Sequence, residues 1–113
     1  MTLQQGTKQV VERSASYPVL TFLDVDRAAT APVAARYRID DVTHGRIQEI
    51  LDWTSISTPA AEETLTITAT QNRILDGAND VETRVITAES EGADGEKTRQ
   101  TYTYEVKNTP STD

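Results

Sequence analysis

Short β-rich runs, each closed by turn residues, recur about every 8 to 12 residues along this chain, a rhythm that few folds can accommodate. QVVER (9–13) reads as a first edge strand built around Val10 and Val11. YPVLTFLDV (17–25) is a second β-rich run, and its Pro18 fits only a strand start or an edge. RAATAP (27–32) is a connecting loop. In ARYRIDDV (35–42), Tyr37 and Ile39 alternate with Arg36, Arg38 and Asp40, as in a half-buried antiparallel strand. The turn Thr43-His44-Gly45 follows. RIQEILDWTSI (46–56) mixes a helical spacing of Ile47, Ile50 and Leu51 with the extended preference of Trp53, Thr54 and Ile56; its strand neighbours and flanking turns favour a strand.

The stretch ETLTITATQNRIL (63–75) alternates cleanly and then stops. Leu65, Ile67 and Ala69 fall on one side and Thr64, Thr66, Thr68 and Thr70 on the other. A strand over 63–70 is expected, then a helical turn at 71–75 that drops Ile74 or Leu75 into the bottom of the core before Asp76-Gly77 ends it. VETRVITAES (81–90) and TRQTYTYEVKN (98–108) are the last two runs, joined by the glycine-containing turn EGADGE (91–96). Some seven short strands without long helical patterns indicate an all-β, antiparallel sandwich over 17–108. Residues 1–16 are expected as an N-terminal arm or edge strand and 109–113 as a flexible tail. The expected core is Leu20, Phe22, Tyr37, Ile39, Leu51, Trp53, Leu65, Ile67, Ile74, Val85 and Tyr104.

At 113 residues, one domain with one core is expected. The apolar share of 36% suits two thin layers, in which each strand buries only alternate residues. A formal charge of −7 argues against sequence-independent binding of nucleic acid, which needs a basic patch, and against adsorption to anionic membranes. The absence of cysteine removes disulfides, zinc–thiolate sites and a thiol nucleophile together. MTLQQGTKQVVERS has no basic stretch followed by an apolar one, so no signal peptide is expected, and no apolar run is long enough to span a bilayer.

Three stretches carry a resemblance. LTITATQNRIL is similar to the immunoglobulin-like pattern in which a strand ends in one helical turn before the next strand crosses to the other sheet. VETRVITAESEGADGEKTRQTYTYEVKN resembles the last hairpin of fibronectin type III-like and immunoglobulin-like domains. With FLDVD, ARYRIDDVTHGRI and LDWTSI, the chain over about 17–108 looks like the small immunoglobulin-like structural proteins of tailed bacteriophages and prophages. The resemblance implies a non-enzymatic virion component, made in the host cytoplasm: a capsid decoration, a head–tail piece or a tail accessory protein. It implies phage capsid or tail proteins, or further copies of the chain, as partners. The chain departs from better-known immunoglobulin relatives in having no cysteine pair around Trp53. It also carries Glu82, Thr83 and Arg84 where a tyrosine corner would place Tyr.

Reactive groups are sparse. His44, the only histidine, has neither a nucleophile nor a set of N or S ligands in its pattern, and reads as an exposed turn residue. Asp24, Asp26, Asp76 and Asp80 are the carboxylates a calcium site would draw on, with Asn79, Glu82, Glu91, Asp94 and Glu96 nearby in sequence. DGANDVE lacks EF-hand spacing, and turn formation already accounts for its Asp, Asn and Gly. A glycosidase carboxylate pair would need an aromatic-lined cleft that one Trp, one Phe and four Tyr can hardly supply. There is no phosphate-cradling glycine loop, and no cofactor is implied.

Two surfaces stand out. Arg36 and Arg38, with Arg84 from another strand, could form a basic strip for an acidic partner, but pairing with Glu and Asp neighbours across strands is the favoured reading. The threonine row 64–70 reads as a solvated strand face. For a binding protein, edge contacts are expected at Val10 and Val11 and along Tyr102, Tyr104 and Val106. The competing expectation is a carbohydrate- or calcium-dependent adhesion module using Asp24, Asp26, Asp76 and Asp80.

Overall fold

The computed structural model describes residues 8–23, 29–93 and 95–108. Among these, seven strands form two sheets. They are β1 (Lys8–Val11), β2 (Val19–Thr21), β3 (Ala34–Asp41), β4 (Gln48–Ser55), β5 (Glu62–Thr64), β6 (Val81–Glu91) and β7 (Lys97–Lys107). One sheet runs in the order β1-β7-β6-β3-β4 and the other pairs β2 with β5. The all-β sandwich is therefore the observed architecture, and 46–56 is extended, as expected. Its pairing is antiparallel except at one place, where β1 runs parallel to β7 with Val10 opposite Val106. Among the described residues no helix is long and apolar enough to cross a membrane.

Leu20, Leu65 and Ile67 on the small-sheet side meet Ile39, Ile86, Tyr102, Tyr104 and Val106 from the large sheet. Tyr37, Leu51 and Ile74 pack against this core while only partly buried. The expected buried face of β6 is corrected. Glu82, Arg84, Ile86 and Ala88 point inward, and Val85 is only partly buried. A one-residue shift in phase moves every side chain of a strand to the other face. Trp53 is the second correction. The register of β3 against β4 shifts between Tyr37 (opposite Thr54) and Ile39 (opposite Leu51), so Asp52 and Trp53 together oppose Arg38. This bulge puts Trp53 on the face of Arg36 and away from the core.

The 63–75 stretch shows why its alternation stops. The β2–β5 ladder continues past Thr64, with the Leu65 N–H donating to the Pro18 carbonyl (2.8 Å) and Ser16 and Ile67 exchanging N–H bonds. Pro18 has no N–H to return, so regular pairing ends there and β5 is shorter than expected. Thr68 then caps a helical turn. The Gln71 N–H donates to Thr68 Oγ1 (3.2 Å), and the Thr68 N–H donates to Gln71 Oε1 (2.9 Å). This Thr-x-x-Gln capping box opens a turn closed by the Asn72 N–H on the Thr68 carbonyl (3.1 Å). The turn thus begins three residues before the expected 71, and Ala69 is exposed with the threonines.

Asn72 locks this turn to the rest of the molecule. Its side-chain amide donates to the Ser14 carbonyl (2.8 Å) and to Ser16 Oγ (3.1 Å), and its Oδ1 accepts from the Tyr104 hydroxyl (3.1 Å). Burial pushes the Tyr104 hydroxyl up to about 12, against the opposing pull of Arg84. An unfolded tyrosine ionises near pH 10, so this hydroxyl's contribution is complete below that pH and is lost as pH rises towards about 12. Tyr104→Phe should therefore flatten the alkaline limb of a stability–pH curve measured by urea unfolding. The inward phase of β6 is checked by alanine substitution. Ile86→Ala should cost about 2–5 kcal/mol, and Val85→Ala several-fold less, by equilibrium denaturation.

Candidate functional site

Beneath the surface lies a charge cluster that positions the end loops. Arg84 is fully buried on β6. Its Nε donates to Asp41 Oδ2 (2.5 Å), Nη1 to the Gln71 carbonyl (2.9 Å), and Nη2 to the Arg73 carbonyl and Glu82 Oε1 (both 2.8 Å). Glu82, 1% exposed, also receives the backbone N–H groups of Leu75 (2.8 Å) and Asp76 (2.9 Å) and the Asn79 amide (3.0 Å). Arg84 is thus absent from any surface strip. It holds the helical turn from inside, in the stretch where a tyrosine corner would have its Tyr and this sequence has none.

The outer face of the large sheet carries Arg36 and Arg38. Arg36 lies 4.0 Å from the centre of the Trp53 ring and Arg38 lies 5.7 Å from it, a cation–π stack on an exposed face. Arg38 grips Asp40 through Nε (2.9 Å) and Nη2 (2.8 Å), with Glu49 and Asp52 at 3.7 and 4.0 Å. Arg36 donates to Glu89 Oε1 (2.8 Å) and Arg99 donates to Glu89 Oε2. Those two hydrogen bonds hold the Glu89 carboxyl below its ordinary range, Arg99 contributing most. A depression of about 590 Å³ opens here, bordered by Arg36, Glu89, Glu91, Lys97 and Arg99. Carboxylate pairing, the reading favoured over a basic strip, is therefore what forms: Arg36 and Arg99 pair with Glu89 across strands and Arg38 pairs with Asp40 along its own, giving a face of alternating charge around one tryptophan.

The other expected site residues fall in different places. Tyr102 is 5% exposed and belongs to the core; Tyr104 and Val106 are also buried, on the stretch of β7 that β1 covers, Tyr104–Lys107. Among the described residues the outermost strands of the large sheet are β1 and β4. Val10 packs on the core and Val11 is 48% exposed, so only Val11 is presented outward. A second register shift, between Ile39/Leu51 and Asp40/Glu49, makes β4 doubly irregular, and bulges with acidic side chains blunt an edge against strand addition.

His44 is an exposed turn residue with φ 58°, its Nε2 3.0 Å from Asn79 Oδ1. Asp24, Asp26 and Asp94 lie outside the described residues. Asp76 and Asp80 are exposed, and Asp76 Oδ1 accepts the Ala78 N–H (3.0 Å), which makes it part of its own turn. Among the described residues no group of three or more His, Asp or Glu side chains is placed to hold a metal ion. No protein-family model matches the chain, and no curated protein matches it.

Burial raises the Glu82 carboxyl, but the Leu75 N–H, the Asn79 amide, Arg84 and the Asp76 N–H outweigh it and leave it below the ordinary range. The unfolded chain takes up that proton at higher pH, near 4.3 for a free glutamate. The stabilisation is therefore complete above that pH and is lost as pH falls through the folded value. Glu82→Gln should flatten the acid limb of the urea-unfolding profile between pH 7 and 3. Arg84→Met, which strands two buried carboxylates, should cost about 3–5 kcal/mol at pH 7.

Proposed function

We propose that this chain is a non-enzymatic structural component of a phage particle, a capsid decoration, head–tail or tail accessory protein, that works by protein–protein binding. Its docking surface is the outer face of the five-stranded sheet. The observation that carries this reading is the position of Trp53. A tryptophan buries more apolar area than any other side chain, yet this chain keeps its only one out of the core, with two arginine guanidinium groups over its ring. Tryptophan and arginine dominate the energetics of protein interfaces, where a partner excludes water from them.

The likeness of the 17–108 pattern to small phage immunoglobulin-like proteins supplies the setting, and the sandwich is compatible with it. Surface plasmon resonance against purified capsid, neck and tail proteins encoded beside this chain tests the proposal. Trp53→Ala should weaken the interaction by at least about thirtyfold, the loss of an interface hot spot, while the melting temperature changes little. Binding unchanged by Trp53→Ala would move the interface elsewhere, and no binding to any particle protein would overturn the virion role.

A further inference from the structure

A second pocket lies at the opposite end of the large sheet from the β6–β7 turn. It has a volume of about 250 Å³ and is bordered by Arg46, Arg73, His44, Gln48, Asn79 and Asp76, with Asp41 and Glu82 as its floor. The floor is chemically occupied. Asp41 accepts from Arg84 and from the Thr43 N–H (3.0 Å), and Glu82 accepts from four donors. The walls are different. Among the described residues, Arg36, Arg38, Arg84 and Arg99 have carboxylate partners, whereas neither Arg46 nor Arg73 forms an ion pair or a side-chain hydrogen bond. Both are exposed and border the same cavity, beside the amides of Gln48 and Asn79.

The geometry points to a carboxylate-binding site between Arg46 and Arg73. Guanidinium groups bind planar carboxylates through paired N–H donors, and the cavity is small enough for a head group with little else. The pocket has no net positive charge, so binding rests on the paired N–H donors and a monoanion is accommodated better than a dianion. The two wall arginines face Asp76 at the rim and a floor in which Arg84 offsets only one of Asp41 and Glu82. The loop that carries Arg73 is held in place before any ligand arrives, because Arg84 binds the Arg73 carbonyl and Glu82 binds the next two N–H groups but one, those of Leu75 and Asp76.

The test is a titration with sodium acetate, followed by NMR on the arginine Nε–Hε signals and referenced to sodium chloride at equal ionic strength. Saturable shifts at Arg46 and Arg73, with none at Arg36 and Arg99, are expected. Arg46→Gln and Arg73→Gln, both at exposed positions, should each weaken binding about tenfold, the loss of one charged hydrogen-bonding partner. Asp76→Ser, which keeps an oxygen for the Ala78 N–H, should tighten it. A short peptide with a free C-terminus that binds more tightly than acetate would identify a polypeptide carboxylate as the ligand; equal binding would identify a small free acid. Shifts that do not saturate, that appear equally at Arg36 and Arg99, or that survive both glutamine substitutions would overturn the site.

Discussion

Everything at the lower end of this sandwich is organised around the Arg84 guanidinium. A charge held at 0% exposure is tolerable only if its donors are met, and here two carboxylates and two backbone carbonyls meet them. The ion pair is not evidence of extra stability in itself, since apolar replacements of buried ion pairs are often neutral or stabilising. Its value lies in what an apolar plug could not do. The carbonyls of Gln71 and Arg73 belong to an irregular turn that enters the protein interior, and each needs a donor there. Arg84 supplies those donors, and Glu82 supplies the matching acceptors for Leu75 and Asp76.

That arrangement also explains how so small a second sheet suffices. β2 and β5 contribute three residues each to regular pairing, too few to cover five strands unaided. The capped turn at 68–72, the 75–80 loop and the crossover at 12–16 close the rest. Asn72 ties the first and last of these together, with bonds to Ser14, Ser16 and Tyr104. The Asn108 side chain reaches the carbonyls of Gly77 and Asn79 and fastens the loop to the end of β7. Polar groups thus replace apolar volume at one end, which is how a chain that is only 36% apolar can close its core.

Alternation made most of the strands legible in the sequence, and it misled where inward residues were charged. In β6 the pair Val81 and Val85 is the more apolar set, so the pattern favours burying it; the structure instead buries Glu82 and Arg84, because each neutralises the other and both are saturated with hydrogen bonds. Periodicity of hydrophobicity cannot register such a pair. Trp53 was misplaced for another reason. A β-bulge changes the phase of β4 by one residue, and no composition rule marks where it falls. By contrast, Thr68-Ala69-Thr70-Gln71 did carry a readable signal, the spacing of a capping box. The candidate surface was half legible: Arg36 and Arg38 share a face by alternation, but the bridge from Arg36 through Glu89 to Arg99 depends on the register of three strands.

The division of labour among arginines bears on how the outer face could bind. Arg36 and Arg99 converge on the two oxygens of one carboxylate, and Arg36 is also stacked on Trp53. Ordering a long flexible side chain at an interface ordinarily costs about 0.5–1.5 kcal/mol. Here much of that cost is met within the folded protein, before a partner arrives. The same pairing limits the face's appetite for anions, because Glu89 already offsets one of the two guanidinium charges. A partner that matches this surface therefore needs an apolar or planar group to cover Trp53 and only modest acidity beside it. That requirement differs from that of the end pocket, where Arg46 and Arg73 have no carboxylate of their own among the described residues.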